Sequence, residues 1–402
     1  MSGNGHRVVS AGVLAGVLVG ACAGTADPRR ERERVASGTG EVVIAAAWPW
    51  ADRPELLYGQ GLELALEHAN AGGGVQGRKL QLQREDDGGD IDQARLVAQR
   101  LADDPRVMAV IGHHQSYVTV AAAGIYDLAE LALVSATSTS PALTAQGYRH
   151  VFQSTFSDID VGRAMARLAL AQGCRRLAVF YSRDSHGREL ANAFEEFAVA
   201  HDGEVVARAS ADPGQSANPL GAELVMTTWR QHPIDAVFLA TSHRQAAVMA
   251  VELRRQGFRG PLFGTDALAA PGFIAEGGDA VEGTVFATAF NRDAPSAAAR
   301  RFTEAFRQRF GQEPDVTAAL GYDALSVLVH AMREARSVLP SAVAATLRRV
   351  RDFPGATGVL TFDPAGGLHD PTVNTTIIRE GSFHGLADPS DAAACTAAAG
   401  GK

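Results

Sequence analysis

Residues 41–83 read EVVIAAAWPWADRPELLYGQGLELALEHANAGGGVQGRKLQLQ. Val42-Val43-Ile44-Ala45-Ala46 is a short, continuous apolar run, as expected of a strand buried on both faces. Leu62, Ala65, Leu66 and Ala69 then recur at i, i+3, i+4 and i+7, which places them on one helical face. Gly72-Gly73-Gly74 stops that helix, and residues 80–83 supply a second strand. Strand, helix, strand in this order is the unit of a parallel sheet.

The alternation continues from there. Residues 92–101 read as a helix, 107–111 as a strand, 119–131 as a helix, and Leu133-Val134 and Val151-Phe152 as strands. A second series follows, with strands at 177–181, 205–208, 236–239 and Leu262-Phe263 and helices at 188–201, 220–231 and 245–256. Helices at 297–310 and 318–335 and a β-like stretch at 358–362 complete it. The expected fold class is α/β, with two doubly wound, mostly parallel sheets in two lobes.

The glycine run needs one further reading. Gly72-Gly73-Gly74-Val75-Gln76-Gly77 fits GxGxxG, and Arg78-Lys79 nearly completes a P-loop. Both motifs require a strand before and a helix after, so that phosphate meets a helix N-terminus. Here the order is reversed, and a turn is expected.

At 402 residues the chain is long enough for two domains. Its 46% apolar and 20% charged composition is ordinary for a globular protein. A net charge of −8 with no basic run argues against a nucleic-acid partner. Cys22, Cys174 and Cys395 have no CxxC spacing, so neither a metal site nor a cofactor is expected. Cys174 opens a strand and Cys395 lies in an Ala- and Gly-rich tail, so no structural disulfide between them is expected. His113 and His114 are adjacent and cannot easily face one ion, so they too read as structural.

At the N-terminus, Arg7 precedes an apolar stretch, Val8 to Ala21, too short to span a membrane and suited to a signal peptide at 1–21. It ends in Val19-Gly20-Ala21-Cys22, which resembles a bacterial lipobox with Cys22 as the lipid anchor. Residues 22–40 are polar, and the alternating charges of Arg29–Arg34 read as a solvated linker. The expected location is therefore outside the cytoplasm, as a membrane-anchored lipoprotein in the periplasm or on the outer face of the cytoplasmic membrane. The anchor is its only expected membrane contact.

Several segments resemble the type I periplasmic solute-binding proteins of the branched-chain amino-acid group, which serve ABC transporters. They are Tyr58-Gly59-Gln60-Gly61, Ala69-Asn70-Ala71-Gly72-Gly73, Asp86-Asp87 and Val110-Ile111-Gly112-His113. Further on come Ser138-Thr139-Ser140-Pro141-Ala142-Leu143-Thr144, Asp235-Ala236-Val237-Phe238, Ala318-Ala319-Leu320-Gly321-Tyr322-Asp323-Ala324 and Thr361-Phe362-Asp363-Pro364. The order and spacing of these segments from about 41 to 385 carry the resemblance. It implies a three-strand hinge, lobe one at 41–154 and 287–362, and lobe two at 155–286 and 363–388; the Ala- and Gly-rich composition of 389–402 reads as a disordered tail. It also implies ABC permease subunits as partners.

Ligands of open α/β sheets lie beyond the carboxyl ends of the strands. Ser116, Thr137, Ser138 and Thr139 stand there and offer hydroxyls and free N–H groups, suited to a carboxylate. The resemblance gives matching positions the α-carboxylate of an amino acid. It gives Asp266 the α-ammonium, Tyr58 a covering role, and His186 and Ser242 the second lobe's ligand-facing positions. Trp48 and Trp50 replace small residues and are expected to narrow the pocket. Gly89 and Gln115 stand where some relatives carry a disulfide.

Capture of an amino acid or similar small polar solute for an importer is the expected function. The alternatives are a sensor for an amide or organic acid that reports to a membrane receptor, and an α/β enzyme using Ser116 or His186. With no GxSxG elbow and no defensible Ser/His/Asp order, no catalytic residue is assigned.

Overall fold

The computed structural model describes residues 27–53, 56–212, 218–294 and 296–386. The first half of the chain runs β1 (Val42–Trp48), α2 (Tyr58–Ala71), β2 (Leu80–Asp86), α3 (Ile91–Asp103), β3 (Val107–Gly112), α4 (Ser116–Leu128), β4 (Ala132–Ser135) and β5 (Val151–Gln153), preceded by α1 (Pro28–Ala36). These five strands form one sheet in the order β2-β1-β3-β4-β5, all parallel. Then come α5 (Asp158–Ala171), β6 (Arg176–Ser182), α6 (Ser185–Ala200), β7 (Glu204–Ala211), α7 (Pro219–Trp229), β8 (Ala236–Ala240), α8 (His243–Arg255), β9 (Leu262–Gly264), α9 (Pro271–Gly277) and β10 (Val285–Thr288). The chain returns to the first lobe with α10 (Ala297–Phe310), α11 (Val316–Ala335), α12 (Pro340–Leu347) and the ribbon β11 (Phe353–Pro354) and β12 (Val359–Leu360). It ends in lobe two with β13 (Asn374–Arg379) and β14 (Ser382–Leu386). The second sheet is ordered β14-β13-β10-β9-β8-β6-β7, with only the β10–β13 and β13–β14 pairings antiparallel.

Side-chain alternation explains why both faces of each sheet are covered. In β1, Val42, Ile44, Ala46 and Trp48 pack toward α2 and α11, while Ala45 and Ala47 pack toward α3 and α4. In β6, Leu177 and Val179 meet α5 and α6, while Ala178 and Phe180 meet α7 and α8. The α2–α11 crossing is close because Gly61 has no side chain. A Cβ there would sit 2.0 Å from the Ala318 carbonyl oxygen.

Three passages join the lobes: β5 to α5, β10 to α10, and β12 to β13. They are tied together by Gln153 N–H to Gly366 O (2.8 Å) and by Asn374 Nδ2 to both Ala289 O (3.1 Å) and Thr357 O (3.0 Å).

One expectation is corrected. Arg29–Arg34 is not a solvated linker but lies within α1. Asp27 caps that helix by accepting Arg29 N–H, Pro28 opens it, and Glu31 and Arg34 complement its dipole. The Arg32 guanidinium is 2% exposed and donates to the carbonyls of Val107, Ala102 and Asp104. It thereby satisfies acceptors that the end of α3 leaves open. Cys174, wholly buried, is disulfide-bonded, and its partner lies outside the described residues. Spacing along the chain could not show which cysteines approach each other in space. The expected signal peptide, Cys22 and residues 389–402 also lie outside the described residues.

The glycine turn has Gly73, Gly74 and Gly77 at positive φ. It is held by Arg78, whose guanidinium donates to the carbonyls of Gly40 and Ala36. No phosphate-binding helix follows it.

Candidate ligand-binding cleft

The hydroxyl cluster forms where β3 and β4 end. Ser116 is the first residue of α4, whose opening N–H groups have no partner within the helix. Thr139 N–H donates to Ser116 Oγ at 3.3 Å. The Thr137 hydroxyl lies 3.0 Å from His113 O and 2.8 Å from His114 O, so its proton is spent on fastening the loop. Ser138 is wholly buried, and its Oγ has no hydrogen-bond partner among the described residues.

A buried series holds this corner in place. His113 Nδ1 lies 2.6 Å from Asp87 Oδ2, and its Nε2 lies 3.2 Å from Tyr126 OH, with all three residues sealed from solvent. Among the described residues no group of three His, Cys, Asp or Glu is placed to hold a metal. Gln115 has its amide against Gly89, where a Cβ would be 3.0 Å from Nε2, so these two positions do lie side by side.

The aromatic residues behave differently from expectation. Trp48 is 1% exposed and stacks on Tyr58, with centroids 3.8 Å apart and planes 13° apart. His114 lies 4.3 Å from the Trp48 ring. Trp48 is therefore part of the lobe-one core rather than a plug in the cleft. Trp50 is turned toward β2, where its Nε1 donates to Glu85 O and Arg84 covers its ring. Tyr58 is wholly buried and its hydroxyl has no partner among the described residues. Burial, with the Asp87 charge adding, pushes that hydroxyl's pKa upward.

Lobe two meets the cluster through Asp158, the first residue of α5 and 2% exposed. Its N–H donates to Thr139 O at 2.8 Å, and its Oδ2 lies 3.0 Å from His186 Nδ1. A bonded path thus runs from Ser116 through Thr139 and Asp158 to His186, across the two lobes. His186 sits in the first turn of α6, behind the Asp184 cap. Burial pulls its pKa down, but the hydrogen bond to Asp158 and the charges of Asp158, Asp266 and Asp184 outweigh that and raise it to about 9. Asp266 follows β9 in a short 3₁₀ turn. Burial pushes its carboxyl up and the Asp158 charge adds to this, while the His186 charge and nearby backbone N–H groups oppose it.

Ser242 stands apart from this group. It is exposed and caps α8, accepting Gln245 N–H at 3.5 Å. Two residues of the cluster were not foreseen, Asp158 and Glu189. Asp158 lies inside the Ser157–Asp160 capping box just beyond the first passage, a signal readable in the sequence. Glu189 stands three residues after His186 and so shares its helix face. Its Oε2 is buried with no partner among the described residues.

The ion pair gives a signed expectation. The folded-state pKa of His186 lies above the ordinary 6.5. Its contribution to stability is therefore complete below about pH 6.5 and lost as pH rises through about 9. Thermal melts should show His186→Gln less stable than the parent at pH 6.5, with the gap closing near pH 10. A gap that does not change with pH would show that the pair is not coupled to folding.

The periplasmic binding protein family matches residues 56–378. The chain is 25% identical over 319 residues to a Leu/Ile/Val-binding protein homologue of Brucella abortus, covering 78% of this chain and 84% of that one. It is 25% identical over 334 residues to the leucine-, isoleucine-, valine-, threonine- and alanine-binding protein of Pseudomonas aeruginosa, covering 81% and 87%. An ABC transporter substrate-binding protein from Desulfitobacterium hafniense, solved in complex with leucine, superposes with a TM-score of 0.78 at 34% identity. That superposition covers 86% of this chain and 100% of the other.

Proposed function

The chain belongs to the periplasmic binding protein family, and from that premise we propose that it captures an amino acid or similar small polar solute between its lobes for an ABC importer. One observation carries this reading. A corner of neutral donors on lobe one is joined through Thr139 and Asp158 to a carboxylate cluster on lobe two. Neutral hydroxyls and helix-terminal N–H groups suit an α-carboxylate. Asp266, which pairs with no side chain among the described residues, suits an α-ammonium. The relatives are binding proteins by name, which supports binding without turnover. The geometry also disfavours an enzyme built on Ser116, whose Oγ is engaged by a backbone N–H, while the His186 ring is engaged by Asp158.

The lobes would close on the solute as a hinged clamp, and the closed form would dock on permease subunits. An amino acid at about 100 times its dissociation constant should stabilise the protein by about 2.7 kcal/mol. Its saturation should also shrink the radius of gyration in small-angle scattering. A panel of amino acids that gives neither effect would refute capture.

We further propose export and lipid anchoring at Cys22. No helix among the described residues is long and apolar enough to cross a membrane. One sulfur cannot carry both a lipid and a disulfide, so the anchor requires that the Cys174 bridge end elsewhere than at Cys22. Labelled-lipid incorporation, lost in Cys22→Ser, tests the anchor, and a non-reduced digest locates the bridge.

A further inference from the structure

The lobe-two side of the cleft holds more unsatisfied acceptor than an α-ammonium needs. Asp158, Asp266 and Glu189 face a single imidazole, His186, while Asp184, whose charge also acts on that ring, is occupied by the Gly187 N–H and the Ser182 hydroxyl as the cap of α6. Asp158 spends one oxygen on that ring at 3.0 Å. Glu189 Oε2 is buried without a partner among the described residues, and both Asp158 and His186 act on its carboxyl. With all four groups charged, three carboxylates stand against one cation. One α-ammonium still leaves one carboxylate over.

On the proposed reading of the site as an amino-acid clamp, we infer that the solute's side chain ends in N–H donors, an amide or a cationic group, received by Glu189 and the Asp158–His186 pair. Methyl groups in that place would strip water from Glu189 and His186 and return nothing, and such mismatches are strongly rejected. Burial, with the Asp158 charge adding, pushes the Glu189 carboxyl upward, and an incoming donor would relieve that strain. The lobe-one donors are neutral and already suit the α-carboxylate, so the distinguishing chemistry lies on α6 and the start of α5. This departs from the relatives named for leucine, isoleucine and valine.

The test is calorimetry on the full-length protein with leucine, valine, glutamine, lysine and arginine. The expected result is that one of the last three binds at least about a hundredfold tighter than leucine. Glu189→Gln keeps the shape and should weaken that solute about tenfold or more. The pair Glu189→Leu with His186→Phe should shift preference toward leucine. If leucine or valine binds the parent most tightly, this inference is overturned and amino-acid capture stands. If no amino acid binds, the capture reading falls and the inference with it. If the variants fail to fold, the parent panel alone still decides.

Discussion

Asp266→Asn is expected to weaken amino-acid binding by roughly a hundredfold to several-thousandfold. Asp266 follows β9, is half-buried, and is offset only in part by the nearby His186 charge. When an ammonium closes on it, water leaves and the two charges depend on each other. Breaking such a pair by neutralising one partner typically costs about 3–5 kcal/mol, which sets the range above. The amide keeps the shape, so calorimetry reads the charge and not a cavity. Ser116→Ala is the milder companion. It removes one hydroxyl and leaves the backbone donors, for a loss of about 1–3 kcal/mol. Asp158→Asn separates two roles, because it frees His186 while keeping the N–H to Thr139 O. Binding to Asp266→Asn as tight as to the parent would mean that no ammonium is held at Asp266. A sensor for an organic acid or amide would then move ahead.

Trp48→Ala is expected to cost about 3–5 kcal/mol of stability, the usual range for removing a large ring from a packed core. Trp48 is 1% exposed, stacked on Tyr58 at 3.8 Å and in contact with His114 at 4.3 Å. In a lobe of this size the melting temperature should fall by roughly 8–15 °C. Trp48→Phe keeps part of the ring and should lose less than half as much. Chemical denaturation of the parent and both variants measures this. A loss below about 1 kcal/mol for Trp48→Ala would show that the ring is not packed as described. The same variant leaves Tyr58 unstacked beside the hydroxyl corner, so its solute affinity should fall as well.

Much of the fold was legible because the signals are local. Strands β1 and β3 to β9 coincide with apolar runs, β2 with the alternation Leu80-Gln81-Leu82-Gln83, and α2, α3, α4, α6, α7 and α8 with 3.6-residue periodicity, whereas α5 is absent from the sequence reading. The β13–β14 hairpin was missed, although its sequence carries a clue. Asn374-Thr375-Thr376-Ile377-Ile378 is rich in β-branched residues, and Glu380-Gly381 is a two-residue turn with both φ values positive, 51° and 65°. Helix α1 was misread because alternating charge suggests solvation, whereas one arginine of the six-residue run found three carbonyls far away in sequence.

The candidate site divides in the same way. Ser116, Thr137, Ser138 and Thr139 were found because strand ends are local features, and the sheet's parallel topology brings two neighbouring ends together. Ser242, placed in the site by the family resemblance, is an exposed helix cap. The sequence by itself determined two α/β lobes and a hydroxyl corner at the carboxyl ends of β3 and β4. Only the tertiary structure decided that Trp48 belongs to the core. Only it showed that Asp158, His186, Glu189 and Asp266 meet from α5, α6 and the turn after β9. Burial and charge at a site depend on distances in space, and residues 158, 186 and 266 become neighbours only when the second sheet has formed.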